Sequence, residues 1–179
     1  MHQPIAEVLT WFSAYQHFPF LGLKSYICSQ IYAMALITAR LAEKEYGLDV
    51  TDADGHTMRI DIPVAQGGNG SGFRPMQMLL SALCGCSAVD VISILKKQRQ
   101  SLENLIIEVD GQREEGKEPS LWKTITIVFN ISGEVDPTKA FRAVDLSMEK
   151  YCSVAETLRV AGANISYNVI VNGSAVSGQ

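Results

Sequence analysis

Four cysteines, Cys28, Cys84, Cys86 and Cys152, are the residues of this 179-residue chain best suited to chemistry, and two of them sit where a thiol could act. Cys86 falls inside an amphipathic stretch from Pro75 to Lys97, and Cys152 falls in Lys150-Tyr-Cys-Ser-Val-Ala-Glu-Thr-Leu158. A thiol attacks peroxides or disulfides as its thiolate, which needs nearby positive charge or hydrogen-bond donors and partial exposure. Mid-helix, the dipole gives Cys86 little help. Asp90, one turn on along the same face, raises the thiol pKa unless a cation answers it. The alternative for Cys86 is a small buried hydrophobe in a Ser/Ala/Gly-rich segment that allows close packing. Around Cys152, Ser153-Val-Ala-Glu156 fits the capping-box pattern. A helix starting immediately after Cys152 puts its sulfur near free backbone N–H groups and a positive dipole end. Equally open is that Ser153 and Glu156 continue a helix begun at Pro137, leaving Cys152 packed inside. Cys84 stands about 200° round the helix from Cys86, so the two cannot share a face or an ion. Cys28 has no motif around it and is expected in the core. No metal-ligand spacing joins these cysteines with His2, His17 or His56, so neither a metal nor a cofactor is expected.

The elements that must hold these thiols are legible in periodicity. Pro75 fixes φ for a first helical turn, and the helix is expected to reach about Gln100. At roughly 1.5 Å per residue it is about 37 Å long, and its apolar positions run round most of its circumference, which places it in the middle of the molecule. Lys96, Lys97 and Arg99 complement the negative end of its dipole. Leu105, Ile107 and Val109 alternate with polar residues, as do Ile125, Ile127, Phe129 and Ile131, giving two one-sided strands joined by a polar turn over 112–120. Asp136 before Pro137 starts a second helix whose stripe Phe141, Val144, Met148 and Tyr151 faces the core. Ile165, Tyr167, Val169 and Val171 form a last strand. Upstream, Ile5, Val8, Leu9 and Phe12 have helical spacing, and residues 66–72 read as a flexible loop by their glycines. The order helix, strand, strand, helix, strand indicates an α+β fold with antiparallel sheets packed on helices.

Composition narrows the function classes. A formal charge of −4 without a dense Lys/Arg run offers no surface for a polyanion, so nucleic acid is not an expected partner. Met1 to Leu23 carries no Lys or Arg, so no signal peptide is expected and the thiols are assigned to a reducing cytoplasm. The uncharged stretch from Ser25 to Ala39 is too short to span a membrane, and no membrane association is expected. Gly67-Gly-Asn-Gly70 formally matches the loop of an RNA-binding KH module, but that loop joins two helices amid basic residues, and this one follows a strand in an acidic chain. No phosphate-binding loop or acyl-transfer signature is present.

The stretches 73–99 and 136–158, with Asp136-Pro-Thr-Lys139 opening the second, resemble the OsmC/Ohr family of thiol-dependent hydroperoxide reductases, and in particular its OsmC-like branch. The likeness covers roughly residues 36–173. It implies that Cys86 and Cys152, separated by 152 − 86 = 66 residues, are the family's redox pair. It also implies an intertwined homodimer with sheets wrapped around long central helices, an OsmC-like domain over 36–179, and a separate N-terminal extension over 1–35. Residues 25–46 have helical propensity, but the resemblance aligns 36–41, 47–51 and 57–61 with strands, leaving 25–35 undecided. The implied reaction is reduction of an organic hydroperoxide in oxidative-stress defence, with a dithiol as reductant. In the family's peroxidases a Glu at the start of the central helix and an Arg from the N-terminal region flank the reactive cysteine. Here that helix start reads Arg74-Pro-Met-Gln-Met78, and Arg40, Arg59 and Arg74 are candidate cations outside any matching motif. The competing class is a non-catalytic protein of the same fold, a redox-responsive scaffold or a binder of small hydrophobic ligands.

Overall fold

A computed structural model describes residues 36–42 and 45–178. The expected extension 1–35, its helix around Ile5 to Phe12 and Cys28 lie outside the described residues. Among the described residues the chain divides into two units, 36–38 with Thr51–His56, and Ala39–Val50 with 57–178. In the first, the Asp52 carboxylate closes a tight turn, accepting from the backbone N–H groups of Asp54 and His56 and lying 2.9 Å from His56 Nδ1. The strands β1 (Thr38–Leu41), β2 (Leu48–Thr51) and β3 (Thr57–Ile60) form a three-stranded sheet in that order, as the resemblance implies.

Four further strands, β4 (Ser101–Arg113), β5 (Trp122–Glu134), β6 (Asn164–Val171) and β7 (Ser174–Val176), make the second sheet in sequence order. The β4–β5 hairpin is antiparallel and sets Leu105, Ile107 and Val109 opposite Ile131, Phe129 and Ile127. Near its open end, Gly133 sits at φ +128° beside a bulge, where an added Cβ would lie 2.2 Å from the Ser101 carbonyl oxygen. The β6–β7 pair is antiparallel, but β5 and β6 run parallel, which departs from the expected all-antiparallel sheet. The reason is the connection. Helices α2 (Pro137–Leu146) and α3 (Ser153–Val160) bring the chain back to the end at which β5 began, so β6 enters in the same direction. Asp136 caps α2 as expected, its Oδ1 accepting from the Lys139 N–H at 3.0 Å.

Helix α1 (Pro75–Lys97) contacts β4, α2 and α3, and one stripe of it, Leu83, Ser87, Val91 and Leu95, is fully buried. The apolar core joins that stripe to Ile125, Ile127, Phe129 and Ile131 of β5 and to Ala140, Ala143 and Val144 of α2. The Trp122 indole N–H donates to the Met76 carbonyl at 3.3 Å and anchors the helix start to β5. In the single chain the helix is covered on one side only: Leu79, Val89 and Ile92 lie exposed, Val89 at 65%. By length and composition α1 is apolar enough to cross a bilayer, with 22% of its most apolar window buried. The glycine loop is also more structured than its composition suggests. It folds around the buried Asp61, which accepts from the N–H groups of Ile62, Asn69 and Ser71 and from the Ser71 hydroxyl.

Candidate functional site

Between α2 and α3 the chain makes one wide π turn, Ser147–Tyr151, closed by the Cys152 N–H donating to the Ser147 carbonyl at 2.8 Å. The extra residue per turn rotates the spiral, and Tyr151, expected on the core stripe, is 49% exposed, while Met148 stays buried. Cys152 then adopts an extended conformation and caps α3, its Sγ accepting from the Ala155 N–H at 3.4 Å. A new helix therefore starts after Cys152, and the cap is the cysteine itself rather than Ser153.

Across from it, α1 presents Cys86 and, one turn on, Asp90. The two sulfurs and an Asp90 carboxylate oxygen all lie within 4.8 Å of one another. Cys86 is half-buried and Cys152 is 3% exposed. Asp90 is answered by a hydroxyl rather than the expected cation: Ser147 Oγ donates to its Oδ2 at 3.0 Å. The expectation of a dipole-assisted thiolate at Cys152 is also corrected. Burial pushes this thiol up to about 11 and the neighbouring Cys86 adds to the rise, outweighing the opposing N–H groups of Ala155 and Val154. Cys84 is outside the cluster, and burial raises its pKa as well.

A cavity of about 240 Å³ opens at Cys152, lined also by Met148, Glu149, Glu156 and Arg159. Arg159 is held there by the Met148 carbonyl at 2.6 Å and Glu149 Oε1 at 3.1 Å. Of the arginines considered from sequence, Arg59 pairs with Asp49 at 2.6 Å, Arg40 is exposed on β1, and Arg74 precedes α1. Arg159 escaped notice, although its place seven residues, about two helical turns, after Cys152 puts it on the same side of α3. Ser147 carried no such signal, since it meets Asp90 across 57 residues of chain. At the start of α1, Gln77 Oε1 accepts from the Arg74 N–H at 3.3 Å and closes a capping box, in the turn where the resemblance implied a carboxylate.

Residues 68–168 match the family model of the OsmC-like proteins. Protein YhfA of Escherichia coli K12 is 44% identical over 99 residues, which are 54% of this chain and 72% of that protein. Among solved structures, a hypothetical protein from Aquifex aeolicus VF5 shares 30% identity with a TM-score of 0.64, covering 77% of this chain and 97% of that one. An organic hydroperoxide resistance protein OsmC from Legionella pneumophila is alike in fold alone, with 17% identity and a TM-score of 0.60 over 77% of this chain and 97% of that one. With the family's model matched over more than half its length and the family's fold in its sheets and helices, the chain belongs to the OsmC-like protein family.

Proposed function

We propose that this protein is a cytoplasmic, homodimeric thiol peroxidase that reduces organic hydroperoxides at the expense of a dithiol. The observation that carries this reading is the approach of two sulfurs from separate elements to within 4.8 Å, one half-exposed and one buried. The Legionella neighbour's association with hydroperoxide resistance supports the choice of substrate. Cys86, the more accessible sulfur, attacks the distal oxygen of the hydroperoxide as its thiolate. The O–O bond breaks, the alkoxide leaves and takes up a proton, and Cys86 becomes a sulfenic acid. Cys152, kept protonated by burial, gives up its proton, with an Asp90 carboxylate oxygen within 4.8 Å of its sulfur, and the sulfur displaces hydroxide from the sulfenic acid. Water and a Cys86–Cys152 disulfide result, and two electrons from an external dithiol restore the pair. Lys150 and Arg159, the latter tethered to Glu149, line the cavity beside Cys152, and Arg159 is our candidate cation for the polar end of a substrate.

Treating the reduced protein with tert-butyl hydroperoxide and mapping peptides without reductant tests this directly. A Cys86–Cys152 disulfide within each chain is expected, with dithiothreitol-dependent turnover that Cys86→Ser abolishes. Two free cysteines after treatment, or sulfinic acid at Cys86 alone, would remove the resolving role of Cys152. The absence of a carboxylate at Met76 and Gln77 favours the second reading, a non-catalytic member of the family. Failure of both turnover and disulfide closure would select it.

A further inference from the structure

We propose that Cys86, Asp90 and Cys152 form a binding site for a thiophilic divalent cation of the zinc class. The proposal uses the same thiol pair as the peroxidase reading but not its reaction. Residue spacing alone gave no such site, because the carboxylate and the second sulfur meet only in the fold. Cys86 and Asp90, four residues apart on α1, project from one face, and Cys152 reaches them from the cap of α3. All three potential donor atoms lie within 4.8 Å of one another. Two sulfurs sharing a tetrahedral zinc, each about 2.3 Å from it, stand about 3.8 Å apart, so small side-chain rotations close the set.

The surroundings suit an ion. Ser147 Oγ holds Asp90 Oδ2, which leaves Oδ1 to turn to a metal, and the Ala155 N–H donates to Cys152 Sγ at 3.4 Å. Two thiolates and a carboxylate exceed the ion's charge by one, and the positive N-terminal end of α3 faces that excess, Arg159 being paired with Glu149. Thiolate donors exclude calcium and magnesium, and three protein ligands leave the fourth tetrahedral position to water. Both sulfurs would bind the ion as thiolates, and Glu149, Glu156, Lys150 and Arg159 are the charged groups around the cavity at Cys152. No electrons move. While the ion is bound, both sulfur lone pairs are engaged, so the metal and the hydroperoxide compete for the same thiols.

Titration of the reduced, metal-free protein with cobalt(II), a spectroscopic stand-in for zinc, tests the site. One ion per chain with a near-ultraviolet sulfur-to-metal charge-transfer band is expected, and zinc should abolish the band by displacement. Cys84→Ser should leave the band unchanged, whereas Cys86→Ser and Cys152→Ser should each remove it. Ser147→Ala should weaken binding about 10- to 100-fold while keeping the band, a readout that survives if a cysteine variant fails to fold. In the wild type, bound zinc should block hydroperoxide-driven closure of the disulfide. Absence of the band, its persistence without Cys152, or its dependence on Cys84 would overturn the proposal. Disulfide closure in the metal-free protein reads the peroxidase hypothesis separately, so either can fail alone.

Discussion

At Gln77 a single oxygen-for-nitrogen exchange separates a cap from a charge. A Glu there can accept the same hydrogen bond from the Arg74 N–H and adds an anion in the first turn of α1, where the dipole favours it by about 0.3–1 kcal/mol. Gln77→Glu should therefore raise the thermal midpoint slightly and accelerate dithiol-dependent hydroperoxide turnover. If Gln77→Glu turns over no faster than the wild type, the missing carboxylate is not what limits the rate. Cys152 makes a second, pH-dependent prediction. Its folded pKa of about 11 stands above the ordinary 9.0, so the folded state holds the proton more tightly than the unfolded chain. That contribution to stability is complete below pH 9 and is lost as pH rises towards 11. Urea unfolding of the reduced protein should show midpoints falling over that range, and Cys152→Ala should flatten the fall.

Among the elements, those with one wet and one dry face were legible beforehand. The alternation in 105–109 and 125–131 reports the buried side of β4 and β5, and Asp136-Pro137 reports the start of α2. Period-two alternation is silent about strand direction, so the parallel entry of β6 was not readable. Nor was the π turn, since nothing in Ser147-Met-Glu-Lys-Tyr151 marks a fifth residue in the turn. At the site, the positions of the two cysteines were legible, but the pairing of Asp90 with Ser147 and the placing of Arg159 belong to tertiary packing. The 62–72 loop shows the same limit: glycine content signals backbone freedom, while the buried Asp61 that removes it lies just outside the glycine run. Backbone N–H groups, the Ser71 N–H first, hold the Asp61 carboxyl at a pKa of about 2 against an ordinary 3.8. Its contribution to stability is present above pH 3.8 and lost as pH falls towards 2. Asp61→Asn should lower stability at neutral pH, flatten that acid limb, and speed hydrogen exchange at Asn69 and Ser71.

For the whole molecule, the exposed apolar stripe of α1 sets the question of assembly. Val89 and Ile92 stand in solvent in the single chain, and a Cβ at Gly85 meets nothing within 4 Å. The two possible surroundings of Gly85 give opposite signs. With the face open, Gly85→Leu stabilises the helix by about 0.5–1 kcal/mol through propensity alone. With a second copy packed there, the added side chain forces the helices apart. We expect a dimer by sedimentation down to the lowest measurable concentration, and for Gly85→Leu a lower melting temperature or dissociation. A folded wild-type monomer, or a stabilised Gly85→Leu, would contradict the homodimer.

Cys86 and Cys152, 66 positions apart, bracket a stretch that contains all of β4, β5 and α2. A bond between the sulfurs makes that stretch a closed ring, and the unfolded chain loses freedom worth about 4 kcal/mol on loop entropy alone. Through the thermodynamic cycle, the same free energy belongs to the electrons. It makes the reduction potential of the folded pair more negative than that of the unfolded pair by about 90 mV, since about 30 mV corresponds to 1.4 kcal/mol for two electrons. Glutathione redox titrations of native and urea-unfolded protein read that gap. Once that bond forms, the hairpin and helix enclosed by the ring would act as a voltage source: an intact fold would make the dithiol a stronger reductant, and a loosened one would let it hold its electrons.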